Sequence, residues 1–295
     1  MKDLPISIQT FKKMREGDYV YVDKTKFVHD IVKNEGNYFL SRPRRFGKSL
    51  LINTFKELFL GNEELFRGLW IHDKWDWSKT NPVIHLSFDK MSYDGLGLDG
   101  AITHQLKVLA EENNIQFSTN DYKTQFEELL KKLFEKKGKV VLLIDEYDKP
   151  IIDYLEKENL PQAKKNQKIM KNFYAVLKSS EAYLRFFFIT GVSKFSKVSI
   201  FSDLNHVDDL TLDKKYATMF GYTQEELEFY FEDHIQSVMK SLELTREDLL
   251  ERMRIWYDGY SWDGKNKLYN PYGIIHFFNK ETFHNFWFTS GMPTF

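Results

Sequence analysis

Two runs of the chain hold residue types that together can handle a phosphate anhydride. The first is Arg42-Pro43-Arg44-Arg45-Phe46-Gly47-Lys48-Ser49, which follows a short apolar segment and opens a helical pattern. That setting is required of a phosphate-binding loop. Amides from Arg44 to Ser49, with the helix N-terminus behind them, can turn inward as a positive cradle for a β-phosphate. Gly47 lets the backbone come close, Lys48 can reach the β and γ oxygens, and the Ser49 hydroxyl can ligate Mg2+. The phosphate-contacting set expected here is Arg44, Arg45, Phe46, Gly47, Lys48, Ser49 and Leu50. The general pattern has its first glycine where Arg42 stands, so the generic match is incomplete. An ordinary helix start with an exposed lysine gives the same short run.

A partner motif separates these two readings. Val140-Val141-Leu142-Leu143-Ile144 is a continuous apolar run that ends in Asp145-Glu146. Enzymes with such a loop need a second acidic group at the end of an adjacent buried strand. Asp145 is expected to hold Mg2+ through water, and Glu146 to orient and polarise the attacking water. Acids also favour the first turn of any helix, which accounts for this pair but not for its conjunction with the loop. Thr190 and Ser193, on either side of Gly191, stand where a polar side chain could sense the γ-phosphate or the water. They serve equally well as turn residues at a strand end. Lys48, Glu146, Thr190 and Ser193 are thus the catalytic candidates, with Ser49 and Asp145 at the metal.

The elements that must carry these residues are legible in outline. Asn37 to Leu40, Val83 to Phe88, Lys139 to Ile144 and Leu184 to Thr190 read as strands. Helical spacing follows in Leu50, Leu51, Thr54, Phe55, Leu58 and Phe59, then over 101–113, 122–137 and onward to about 180. Strands that are apolar throughout belong to a parallel sheet covered on both faces. The alternation therefore predicts an α/β fold with a mainly parallel, doubly wound sheet, whose ligand site lies beyond the carboxyl ends of the strands. After about residue 215 the rhythm is lost. Two helical stretches, 223–241 and 245–256, lead into an aromatic, turn-rich tail. Domains are accordingly expected at 1–215 and 216–295, and the apolar terminal run Phe286 to Gly291 predicts continuation in a longer parent protein.

Taken together, these runs and several others resemble the bacterial AAA-ATPase-like proteins over nearly the whole chain. The resemblance rests on Tyr21-Val22-Asp23-Lys24-Thr25, Arg42 to Leu50, Leu143 to Pro150, Thr190-Gly191-Val192-Ser193, Leu204-Asn205 with Asp209-Leu210-Thr211, and Trp256-Tyr257-Asp258-Gly259-Tyr260 with Tyr269-Asn270-Pro271. In that family the run from Arg42 to Ser49 is itself the P-loop, so the arginine is a family trait. The resemblance implies a P-loop NTPase core of the additional-strand type, a following helical, winged-helix-like region, and Mg2+ and ATP as cofactor and substrate. It favours adenine as the base. Members often carry a further C-terminal PD-(D/E)XK nuclease-like domain, whose motif is not found in these residues.

Composition removes other classes. With 42 basic and 43 acidic residues among 295, the net charge of -1 gives no overall field for nucleic acid, although a local patch remains open. No cysteine means no disulfide, thiolate metal site or thiol nucleophile. The N-terminus lacks the positive start and apolar core of an export signal, and the apolar stretches fall short of the roughly 20 residues that cross a bilayer. A soluble, cytoplasmic protein without a membrane partner is expected. Gly95-Leu96-Gly97-Leu98-Asp99-Gly100 imitates a dinucleotide fingerprint, but the acid expected later, Asp121, falls in a polar stretch. Histidines show no metal-binding pair. Lysines cluster at 131–139 and again at Lys164, Lys165, Lys168 and Lys171, as solvated helix faces or, in the second cluster, as contacts for nucleic acid phosphates. Three functions survive: an ATP-driven switch or motor, a nucleotide-binding scaffold with little turnover, and a nucleic-acid-binding module regulated by nucleotide. An arginine finger commonly arrives from another subunit, which leaves a homo-oligomer open.

Overall fold

The computed structural model describes residues 1–93, 95–193 and 207–287. Two short helices, α1 (Phe11–Glu16) and α2 (Thr25–Val32), precede β1 (Gly36–Ser41) and α3 (Lys48–Phe59). Then come β2 (Val83–Ser87), α4 (Gly97–Glu112), α5 (Tyr122–Lys137), β3 (Val140–Asp145), α6 (Lys149–Ile152), α7 (Leu160–Ser179), β4 (Leu184–Gly191) and β5 (Asp208–Asp209). The remainder holds α8 (Gln224–Tyr230), α9 (Glu232–Ser241), α10 (Arg246–Tyr257), the strands β6 (Asp258–Tyr260) and β7 (Leu268–Tyr269), and α11 (Pro271–Lys280).

The first five strands form one parallel sheet in the order β2-β3-β4-β1-β5. Successive side chains on a strand face opposite ways. Val140, Leu142 and Ile144 accordingly join a core with α4, α5 and α7, while Val141 and Leu143 join a second core with α3 and Phe11. Phe186 and Phe188 divide from Phe187 and Ile189 in the same manner. Burial on both faces is why these strands read as unbroken apolar runs. The additional-strand order is borne out, and it corrects one expectation. The strand bearing Asp145 is not adjacent to β1, because β4 pairs with both and lies between them. The carboxyl ends of β1, β4 and β3 still reach one rim, with Ser41 beside Gly191 and Ile144 beside Ile189.

Several boundaries differ from the periodicity. The helical pattern toward residue 180 breaks between α6 and α7, and the stretch 223–241 divides at Phe231. Phe231 is buried in a third core with Leu227, Ile235, Met253 and Phe277, which also takes in Val20 and Val22 from the N-terminal segment. Lys24 also ties the N-terminal segment to this region, donating to Glu226 Oε2 at 2.6 Å and to the Thr218 carbonyl at 2.7 Å. The turn-rich tail contains a two-stranded antiparallel ribbon, β6–β7, and a ten-residue helix. Leu204, Asn205 and the end of the apolar run, Phe288 to Gly291, lie outside the described residues. No helix among the described residues is long and apolar enough to cross a membrane.

Gly191 closes β4 where three segments crowd together. A Cβ there would stand 2.5 Å from Tyr147 Cε1 and 2.7 Å from Asp148 Oδ1. Overpacking of this kind costs about 1–3 kcal/mol. Gly191→Ala should lower the midpoint of denaturant unfolding accordingly, and an unchanged midpoint would show that the crowding is relieved without cost.

Candidate functional site

The loop between β1 and α3 is fixed at its start by side chains from outside it. Thr211 Oγ1 accepts from the Ser41 amide at 3.1 Å, and the Arg42 amide donates to the Gly191 carbonyl at 3.2 Å. Arg42 is 1% exposed. Its Nη1 donates to the carbonyls of Ser41 (2.9 Å) and Thr211 (2.7 Å), and its guanidinium lies 4.3 Å from the centre of the Trp262 ring. Burial pulls its pKa down to about 10 against the attraction of Asp209. Left-handed backbone falls instead at Arg45 (φ 70°) and Gly47 (φ 92°). The position of the general pattern's first glycine therefore needs no glycine conformation in this fold, and its arginine is an anchor.

Gly47 caps α3, whose N-terminus has no side-chain hydrogen bond across it. Its first amides thus remain free of a side-chain cap, and the helix dipole adds positive character there. A Cβ on Gly47 would meet nothing within 4 Å, so glycine serves the backbone angle here rather than space. Lys48 is buried and folds back along the loop, donating from Nζ to the carbonyls of Arg42 (2.9 Å) and Pro43 (3.1 Å). Burial lowers its pKa, while Glu146, Asp145 and Asp148 draw the ammonium the other way.

Ser49, Asp145 and Glu146 line one small crevice of roughly 50 Å³, together with Asn53, His85 and Asp89. The loop and the acidic motif, far apart in sequence, thus converge. Asp145 is buried and accepts from Thr190 Oγ1 at 2.7 Å. Glu146 has left-handed backbone (φ 52°), and burial raises its pKa, helped by Asp89 and Asp145 and opposed by Lys48 and Lys149. Among the described residues no three His, Cys, Asp or Glu side chains form a ready metal cage. Mg2+ needs none, since it keeps several waters and takes one or two protein ligands beside substrate phosphates. One hydroxyl and one carboxylate facing a shared crevice fit that habit.

The other expected residues divide. Phe46 is buried with its ring edge-on to Tyr260 (4.6 Å) and Trp262 (5.8 Å), and Arg45 lies 4.8 Å from the Tyr272 ring centre. The Arg44 carbonyl accepts from Trp287 Nε1 at 3.1 Å. Leu50 is half-buried and packs against the core beneath α3, which leaves its backbone amide as the group suited to a phosphate. Ser193 is turned toward Asp148, whose Oδ2 takes its hydroxyl at 3.0 Å. Burial raises the Asp148 pKa against the hydrogen bonds from Ser193 and Val192. Asp148 and His85 were not among the sequence candidates. The first stands in the same acidic run, three places after Asp145, whereas nothing distinguishes a lone histidine in a strand. Burial lowers the His85 pKa to about 4, and its Nε2 lacks a hydrogen-bond partner among the described residues.

The competing motifs take structural roles. Asp121 caps α5 by accepting from the Thr124 amide at 2.9 Å, and Gly97 begins α4. In the first lysine cluster, Lys132 and Lys136 donate to the carbonyls of Gln116 and Asn114, and Lys139 pairs with Glu35. Lys164, Lys165 and Lys168 face outward from α7.

A family model described as a predicted AAA-ATPase matches residues 5–201. This chain belongs to that AAA-ATPase-like family. Its matched region contains the loop, the acidic motif, Thr190 and Ser193. The chain is also 43% identical over 297 residues to a protein of Azotobacter chroococcum mcd 1, the uncharacterized protein in the vnfD 5′ region. That match covers 100% of this chain and 55% of the relative, so the chain spans about half the length of the protein it matches. The helices α8 to α11 of this AAA-ATPase-like chain lie beyond the family match but inside the longer one.

Proposed function

We propose that the chain binds and hydrolyses Mg2+-ATP at the rim of the parallel sheet and works as a nucleotide-driven switch. The observation that carries this reading is the single crevice shared by Ser49, Asp145 and Glu146, with Lys48 beside the same carboxylates. In it, the amides of Arg44 to Leu50 wrap the phosphates. Lys48 exchanges the uncharged carbonyls of Arg42 and Pro43 for phosphate oxygens, where donor and acceptor are both charged and the contact is stronger. Ser49 and, through water, Asp145 would hold Mg2+, which would supply neutralisation of the phosphate charge. Glu146 takes the attacking water, and Thr190 keeps Asp145 in place. Adenine as the base follows the family name.

The switch rests on who touches the loop. Arg42 against Trp262, Phe46 against Tyr260, Arg45 against Tyr272 and Arg44 against Trp287 all join the phosphate loop to residues beyond 215, where we place the division between core and responding region. A loop that tightens on a γ-phosphate must carry those aromatics with it or lose them. We expect Mg2+-dependent nucleotide binding followed by phosphate release from the same sample, assayed with and without nucleic acid. Binding that ignores Mg2+, or no binding at all, would end the proposal. Binding without release would leave the scaffold reading, and release that requires nucleic acid would bring the outward lysines of α7 into the function.

A further inference from the structure

Beyond Ile144 and Ile189 β3 and β4 no longer pair with each other, although β2 still pairs with Asp145 and β1 with Thr190 and Gly191. Asp145 ends β3 with Glu146 just after it, and Thr190 is the last residue but one of β4. What joins the two strand ends to each other is a clasp between Asp145-Glu146-Tyr147-Asp148 and Thr190-Gly191-Val192-Ser193. Thr190 Oγ1 donates to Asp145 at 2.7 Å, the Tyr147 amide to the Thr190 carbonyl at 3.0 Å, and the Tyr147 hydroxyl to the Ser193 carbonyl at 2.8 Å. Asp148 closes the clasp. Its Oδ2 accepts from the amides of Val192 and Ser193, both at 2.8 Å, and from the Ser193 hydroxyl at 3.0 Å. Two successive amides and a hydroxyl on one carboxylate oxygen are charge-assisted bonds, and they leave that oxygen no lone pair to spare for substrate.

The other oxygen, Oδ1, is aimed at the backbone of Gly191, where an added Cβ would stand 2.7 Å from it. Asp148 is 1% exposed and does not line the crevice of Ser49, Asp145 and Glu146. It therefore has the placement to act on the reaction through its neighbours and not by contact.

We propose that Asp148 is a positioning residue for ATP hydrolysis, gripping Val192 and Ser193 so that Thr190 stays on Asp145 and Glu146 keeps its bearing on the water. The role rests on the ATPase reading above. It separates binding from turnover, because among the described residues no bond of Asp148 reaches the phosphate loop, whose start is held by Thr211 and by the Gly191 carbonyl, itself fixed in the β1–β4 ladder. Removing a buried negative charge near Lys48 also gives no reason for triphosphate to bind less well.

The test compares wild type, Asp148→Ala and Asp148→Asn in the full chain. It reads the affinity for a fluorescent ATP analogue with Mg2+, the rate of phosphate release, and hydrogen exchange at the Val192 and Ser193 amides. For Asp148→Ala we expect kcat to fall at least about tenfold, affinity to stay within about threefold, and both amides to exchange at least about tenfold faster, since small misplacements cost up to about 100-fold in rate. Asp148→Asn keeps an oxygen acceptor and should fall between. An unchanged kcat in Asp148→Ala, affinity lost in step with kcat, or Asp148→Asn as impaired as Asp148→Ala would overturn the role. If Asp148→Ala does not fold, Asp148→Asn decides: reduced kcat at kept affinity supports the role, and unchanged kcat ends it. Wild type without turnover removes the ATPase reading and this role together, whereas an active wild type with an indifferent Asp148→Asn removes the role alone.

Discussion

Lys48→Ala should raise the dissociation constant for Mg2+-ATP at least about 100-fold, roughly 2.7 kcal/mol, while the protein stays folded. The two halves of this expectation have separate causes. The Lys48 ammonium is buried, yet its two hydrogen bonds go to neutral carbonyls of its own loop, at 2.9 Å from Arg42 and 3.1 Å from Pro43. Hydrogen bonds from a charged donor contribute about 1.5–3 kcal/mol each, against which stands the cost of burying the ammonium. Burial lowers the Lys48 pKa in spite of three nearby carboxylates, so the fold spends more on keeping the charge inside than it recovers. A triphosphate reverses the balance, because its oxygens offer several negative charges to an ammonium already stripped of water. Titration with a labelled nucleotide, beside an unfolding curve for the same variant, measures both effects. Binding within about threefold of wild type in a folded Lys48→Ala protein would place the phosphates elsewhere.

The sequence showed the sheet and the two chemical motifs because both are local. β1, β3 and β4 are apolar runs with a clear end, and α3 repeats its buried residues at helical spacing through Phe55 and Phe59. Strand order was not local, and only family resemblance implied that β4 stands between the loop and the acid. β5 is two residues long, Asp208–Asp209, and is held by pairing with Tyr38 and Phe39. Two acidic residues carry no strand signal of their own. The same limit hid the functional detail. Arg42 reads only as a departure from the general pattern, and as a family trait, until Thr211 and Trp262, both distant in sequence, are seen around it. Ser193 reads as a sensor until Asp148 is seen to hold it. Asp148 itself stood in plain view, but an acid near a helix start has an ordinary explanation that only burial and its three donors remove.

Glu146→Gln should bind Mg2+-ATP with at least wild-type affinity and release phosphate at least about 100-fold more slowly, the span that general-base catalysis commonly supplies. The substitution keeps the size of the side chain and changes its chemistry alone. Glutamine offers an oxygen to a water but cannot take its proton. The left-handed backbone at residue 146 (φ 52°) is no harder for glutamine than for glutamate, so the turn after β3 should survive. Burial, Asp89 and Asp145 all resist a negative charge at this position, and a neutral side chain relieves them. It also removes a charge that would repel the γ-phosphate, which is why affinity should not fall. Measured together, the binding constant and the rate of phosphate release separate the readings. A Glu146→Gln protein that turns over like wild type would take the water from Glu146 and send the search for its base along the same crevice, to Asp89 or the neutral His85. Slow release in wild type, unaltered by the change, would mean that the chain holds nucleotide as a scaffold and that the strained acid beside Asp145 serves the fold.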